Sequence, residues 1–532
     1  MKLPELSPTA APQCVDAATS KAWLEQLPLA NVGAAQRDLL DELEELNVFP
    51  TSAANRLGIL ETLREAVSFV QIEQAKRFMN RPLPMSEAES AVFEETIDLW
   101  EQMRLGYLRC LQAAVARDAG MRAQAGLITQ RLGVYTGLKM FHHHRAYREI
   151  APEDWRALHQ AYAHAEQLGV AEEAIKDYLN RDIHDTSPRV AYARAVLMAM
   201  SSPQELVQRQ LTFVAFLLER WAVKLEVSKS PVPEDKGVLP LVADLAGERC
   251  PSRGDLKAVE PRFLDARKLA KSLRNRVGLL RKGESPAKLA LGEDCVQPSC
   301  EQLLVFLFRQ WCQMKPPAAE RRGAPRPAQV CTEVAAIHHY ISGGAATRRP
   351  VDHTKLTQQQ RQELETLGRI RTAPDEDYSN VQGFMLEDWL VDADSPNELR
   401  LRRPAGVIGK RYAHGQLAAV RLGDGSGFHL GQVRWLVCGA DGELRAGLKP
   451  MLGVPSSVSL RPLGLNEKER SVYALALGAV AGVDAPPSLV LPTGSFKPAR
   501  IFELQGDPPK NVKVTELLER GADFERVAYQ AA

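Results

Sequence analysis

Residues 414–437 read HGQLAAVRLGDGSGFHLGQVRWLV. Gln416 to Leu422 and His429 to Val437 are short apolar-rich runs, and Gly423-Asp424-Gly425-Ser426-Gly427 between them is a hairpin turn signal. The pattern continues on both sides. Gln329 to Val334 precedes it; Glu443 to Leu448, Ser457 to Arg461, Ser488 to Leu491, Arg500 to Leu504 and Val512 to Glu516 follow, with Ala440-Asp441-Gly442 as a second turn. Short strands at this spacing predict a small antiparallel barrel. A charged helical insertion is expected at Thr357 to Leu367.

Towards the N-terminus the period changes. Leu60, Leu63, Val67 and Val70 form one stripe; Phe93, Ile97, Trp100 and Tyr107 form another, and Trp155, Leu158, Tyr162 and Ala165 a third. Such spacing lines one face of a helix. Asn47 to Pro50, Asn80 to Pro84, Ala151-Pro152 and Ser201 to Pro203 separate the segments. Ser86 with Glu89 has capping-box spacing, and Ser202-Pro203 places a proline at a first helical turn. Trp155 begins a partial tetratricopeptide pattern, but no second copy follows at that period, so a helical bundle or irregular array is expected. Pro231, Pro233, Gly237, Pro240, Gly247 and Pro251 mark a boundary. Beyond it, residues 261–282 read as a basic helix, and Leu303 to Met314 as an apolar helix stopped by Pro316-Pro317. The expected domains are a helical domain at 1–235, a helical connector at 236–315, and a β-barrel region with a C-terminal β extension at 316–532.

Composition narrows the function. Of 532 residues 25% are charged, yet the formal net charge is +1 and aromatics make up 6%. This argues against a nucleic-acid-binding protein, so any anion site must be local. No apolar stretch reaches membrane-spanning length and the first residues carry no secretory signal, which predicts a cytoplasmic protein. Its eight cysteines are then expected to be reduced, Cys295 and Cys300 included, since C-x4-C fits no common zinc pattern. His142-His143-His144 cannot converge on one metal, because successive helical residues point about 100° apart. No G-x-S-x-G, H-E-x-x-H, Walker or dinucleotide-binding motif occurs, so no cofactor and no catalytic residues are expected.

One arginine cluster stands directly before the first expected strand: Arg321-Arg322-Gly323-Ala324-Pro325-Arg326. Farther on comes Trp389-Leu390-Val391-Asp392-Ala393-Asp394-Ser395-Pro396-Asn397-Glu398-Leu399. These stretches, with His414 to Val420 and Leu430 to Leu436, resemble the PilZ family over residues 318–462: Arg322 and Arg326 meet its R-x-x-x-R signature, and the second stretch is similar to its D/N-x-S-x-x-G strand and turn. The resemblance implies a six-stranded barrel that binds cyclic di-GMP. The fold class expected is therefore α+β and multidomain, an all-α N-terminal bundle or array followed by a PilZ-like antiparallel barrel. Guanidinium groups suit such a ligand, pairing with phosphate or with the guanine O6/N7 edge and stacking on the base.

The second motif admits two registers. With Ser395 as its serine, Ala393 replaces the acidic or amide residue and Glu398 the glycine. A carboxylate about 4 Å from a phosphate costs on the order of 4 kcal/mol at an effective dielectric of about 20. Shifted, the motif uses Asp392, Asp394 and Asn397. The candidate ligand residues are thus Arg321, Arg322, Arg326, Asp392, Asp394, Ser395 and Asn397. A second basic cluster, Arg400, Arg402, Arg403, Lys410 and Arg411, forms either the rim of the same site or an exposed edge. The function expected is a signalling effector whose helical half passes ligand binding to a protein partner. The alternative is an interaction adaptor whose barrel no longer binds nucleotide.

Overall fold

The computed structural model describes residues 3–532, apart from 236, 239, 254–256, 293, 314–323, 344–383, 396, 424, 426, 464–470, 481, 483–485 and 507. Arg321, Arg322 and the insertion expected at Thr357 to Leu367 lie outside the described residues. The chain divides into two compact units: residues 1–81 with 85–319, and residues 82–84 with 320–532. The fold is α+β, helical first and barrel-forming afterwards.

The first unit is built on helices α1 (Ala17–Leu24), α2 (Val32–Val48), α3 (Ala53–Ala75), α4 (Glu87–Val115), α5 (Ala119–Ala123), α6 (Ala125–Arg145), α7 (Pro152–Gln167), α8 (Pro188–Ala199) and α9 (Gln208–Trp221). The stripes explain their packing. Leu60, Leu63, Val67 and Val70 on α3 are fully buried, facing Trp100, Met103 and Tyr107 on α4. Each such side chain contributes about 1.5–3 kcal/mol. The expected capping box starts α4: the Glu89 N–H donates to Ser86 Oγ at 3.3 Å, and the Ser86 N–H to Glu89 Oε2 at 2.8 Å. Ser202-Pro203 opens only a single 3-10 turn, Pro203–Glu205.

A two-stranded ribbon, β1 (Ile175–Lys176) with β2 (Asp185–Thr186), joins α7 to α8. A small sheet follows, with β3 (Glu226–Ser228), β5 (Pro261–Asp265) and β4 (Leu241–Asp244) in that order. The basic helix is therefore shorter than expected. Pro261 lacks the N–H a helix needs inside it, and its segment pairs as a strand; α10 runs Arg267–Arg281. The apolar helix α11 (Ser299–Phe308) passes into a π-helical turn, Arg309–Gln313, before the prolines. Cys295 and Cys300 are not reduced: their Cα atoms lie 5.0 Å apart, within bonding reach, and they form a disulfide.

The second unit holds two closed six-stranded antiparallel barrels, where sequence reading found one barrel and an extension. The first comprises β6 (Arg326–Thr332), β7 (Glu387–Ser395), β8 (Glu398–Arg403), β9 (Leu417–Leu422), β10 (Phe428–Cys438) and β11 (Leu444–Pro450), closing in the order β10-β11-β8-β7-β6-β9. Expected strand Gln329 to Val334 stops at Thr332, and Val334 opens α12 (Val334–Ile341). The second barrel comprises β12 (Pro455–Leu463), β13 (Val472–Leu477), β14 (Ser488–Pro492), β15 (Ile501–Leu504), β16 (Lys510–Arg520) and β17 (Phe524–Ala531). Helix α12 packs on strands of both barrels, and Val334 and Ile337 share a core with Leu417 and Leu430 of the first and Leu475 and Phe524 of the second.

Candidate functional site

Arg326 begins β6, and its register partner on β7 is Val391. Four residues farther along β7 the chain turns at Ser395, which pairs with Glu398 across the hairpin. The two motifs, 68 residues apart, meet here: Arg326 Nη2 donates to Asp394 Oδ2 at 3.0 Å, with both side chains nearly half exposed. Ser395 Oγ accepts the Glu398 N–H at 3.1 Å and donates to the Glu398 carbonyl at 3.0 Å, so the hydroxyl closes the turn. Asn397 stands in that turn, exposed. Asp392 faces Arg402, at 3.3 Å, and Arg402 also reaches Glu443 at 3.0 Å. The structure thus brings Arg326, Asp394 and Ser395 to one end of the first barrel and pairs Asp392 with the neighbouring strand.

In the register that takes Ser395 as the motif serine, Glu398 stands at the glycine position, and its charge is already paired. Its Oε2 accepts from Arg400 Nε at 2.7 Å and its Oε1 from the Trp435 indole N–H at 2.7 Å. Trp435 is opposite Gly447 in the β10–β11 ladder, and Gly447 is opposite Arg400 in the next. A Cβ on Gly447 would lie 2.0 Å from the indole nitrogen. The glycine therefore lets the ring lie across β11 to reach Glu398 on β8. Sequence reading missed Trp435 and Gly447 as parts of this surface; a glycine inside a strand, a mark of close approach, was the available signal.

The second basic cluster divides. Arg400 and Arg402 share the outer face of β8, as the period of two requires. Arg403 points inward and is buried with Glu387, at 2.8 Å, beneath the Trp389 and Tyr412 rings. The Lys410 N–H donates to the other Glu387 oxygen at 2.7 Å. Arg403 is therefore a core residue, not a rim. A surface cleft of about 520 Å3 opens between β6, β7 and β9, lined by Pro327, Gln329, Asp388, Arg421 and Gly423 among others; none of the candidate residues among the described ones lines it.

Residues 17–233 match the family model described as the N-terminal domain of the cyclic-di-GMP receptor FimW, and residues 458–532 match the FimW C-terminal beta-barrel domain. The chain is FimW-like. The cyclic-di-GMP receptor FimW of Pseudomonas aeruginosa is 21% identical over 522 residues, covering 90% of this chain and 84% of that protein. No solved structure matches. The two FimW segments coincide with the helices up to β3 and with the second barrel; the first barrel, bearing the PilZ-like motifs, lies between them. Among the described residues no helix of this FimW-like chain is long and apolar enough to cross a membrane, and no group of three or more acidic, histidine or cysteine residues could hold a metal ion.

Proposed function

We propose that this FimW-like protein is a cytoplasmic cyclic di-GMP effector, not an enzyme, that takes its ligand on the first barrel at the end where β6 starts and β7 turns. One observation carries this reading: the Arg326–Asp394 pair joins the arginine motif to the second motif. The printed function of the Pseudomonas relative, a cyclic-di-GMP receptor, supports it. Arg326 is half exposed and, among the described residues, pairs with a surface carboxylate, a weak pairing. A ligand phosphate can replace Asp394 on the guanidinium and gain a bidentate contact. Arg321 and Arg322 would add to that grip, while Asp392, Asp394, Ser395 and Asn397 edge the site. Trp435 and Arg400 offer flat faces for a guanine. Ligand binding would then be passed to a protein partner through the helical half.

A second reading also has an observation behind it. Asp394, Glu398 and Asp392 already bond Arg326, Arg400 and Arg402. An adaptor that has lost its ligand would keep its arginines neutralised in this way. Titration calorimetry with cyclic di-GMP separates the two. An effector binds at micromolar concentration or tighter, and Arg322→Ala combined with Arg326→Ala weakens binding at least a hundredfold, while Arg461→Ala on the second barrel leaves it unchanged. Absence of heat at millimolar ligand establishes the adaptor.

A further inference from the structure

The helical unit contains a second concave site, remote in sequence from both motifs. A cleft of about 270 Å3 is bounded by α3, α4, α6, α8 and α9 and by the loop between β1 and β2. Its walls are largely apolar, with Ile72, Leu138, Leu179, Met198 and Leu218 among them, and Ile72 and Leu179 remain substantially exposed at 53% and 38%.

Its polar groups are unevenly satisfied. Arg64 is bound to Asp177 at 2.6 Å. Arg194 donates to Asn180 at 2.7 Å and lies 3.8 Å from Glu219. Arg145 has no such carboxylate among the described residues: its guanidinium lies 4.7 Å over the Phe141 ring, and its Nε is buried without a hydrogen bond. Beside it on α6 stands His142, only 3% exposed. His142 Nδ1 lies between the Trp100 indole N–H, at 3.1 Å, and the Leu138 carbonyl oxygen, at 2.9 Å. His142 Nε2 is buried without a hydrogen bond among the described residues. A buried donor left unmatched destabilises the fold, and a ligand acceptor would relieve it. A buried cationic donor without a hydrogen bond, Arg145 Nε, thus belongs to a residue lining an apolar hollow.

We propose that this cleft binds a small alkyl carboxylate, its head group on Arg145 and its tail against Ile72, Leu179 and Leu218. The size fits: at about 30 Å3 per water-sized group the space takes about nine non-hydrogen atoms, the scale of octanoate and far below a cyclic dinucleotide. A free acid and the carboxylate of an apolar C-terminal residue share this chemistry.

Titration calorimetry on the full chain with octanoate, octanol and acetate tests the assignment. Octanoate is expected to bind at least tenfold more tightly than either control, since octanol lacks the charge and acetate the tail. Arg145→Gln is expected to weaken octanoate at least tenfold, and Ala215→Leu, which fills the hollow from α9, to do the same; circular dichroism and the melting temperature establish that each variant is folded. A tetrapeptide ending in leucine with a free carboxylate forms a second arm: tighter binding than octanoate assigns the site to a chain terminus, weaker binding to a free acid. Octanol matching octanoate, undiminished binding in folded Arg145→Gln, or no binding of either carboxylate overturns the proposal.

Discussion

Arg403 and Glu387 form an ion pair inside the first barrel, each less than 5% exposed. Removing one partner strands the other charge in a low-dielectric core. Arg403→Ala is therefore expected to destabilise the barrel by about 3–5 kcal/mol, while the double variant Arg403→Met with Glu387→Leu recovers most of the loss. Denaturant unfolding of the three proteins measures both effects. At Gly447 the constraint is shape. Gly447→Ala drives a methyl group into the Trp435 ring, so the indole must leave Glu398 at a cost of about 1–3 kcal/mol, and its fluorescence should shift toward the solvent-exposed value. Gly447 betrays this in sequence only as a glycine inside a strand, and Arg403 not at all. Arg403 reads as one more member of a basic run, because the acid that buries it lies 16 residues away across a hairpin.

At the scale of elements, legibility followed the strength of the local pattern. The α3, α4 and α7 stripes could be read directly, and β9, β10 and β11 fell within a residue or two of expectation, since turn glycines bound them. The elements missed share a physical reason. β13, Val-Tyr-Ala-Leu-Ala-Leu, is made largely of helix formers and becomes a strand only by pairing with β12 and β14. β17 buries Glu525, which breaks the alternation that would identify it. Without those two strands the second barrel cannot be closed on paper. The candidate site was legible in part: Arg326, Asp394 and Ser395 converge, but the roles of Glu398 and Trp435 depend on pairs that span β8, β11 and β10. Where the two barrels meet, Asp523 between β16 and β17 accepts the Leu417 N–H at 2.8 Å, and burial raises its carboxyl to about 6. A raised folded-state value means that the group's stability is full below its unfolded value near 4 and is lost as pH rises through 6. The barrel pair should therefore be more stable at pH 4.5 than at pH 7 by about 1–2 kcal/mol, after allowance for remaining solvent screening. Asp523→Asn should flatten that slope in thermal melts.

For the whole molecule the two units should respond to acid in opposite senses. Burial lowers His142 to about 3. Unfolded, the ring takes a proton below about 6.5; folded, it resists until far lower pH. Its contribution is present above pH 6.5 and lost as pH falls, about 2 kcal/mol by pH 5. Calorimetric scans at pH 7 and pH 5 should show a helical transition moving down while the barrel transition holds or rises, and His142→Asn should reduce the helical shift. Both sheets of the second unit return on themselves. Among the described residues neither leaves a rim of unsatisfied backbone on which another polypeptide could lay a strand, so recognition by these barrels is expected through side chains and loops, and concentrated solutions should resist fibril growth seeded from them.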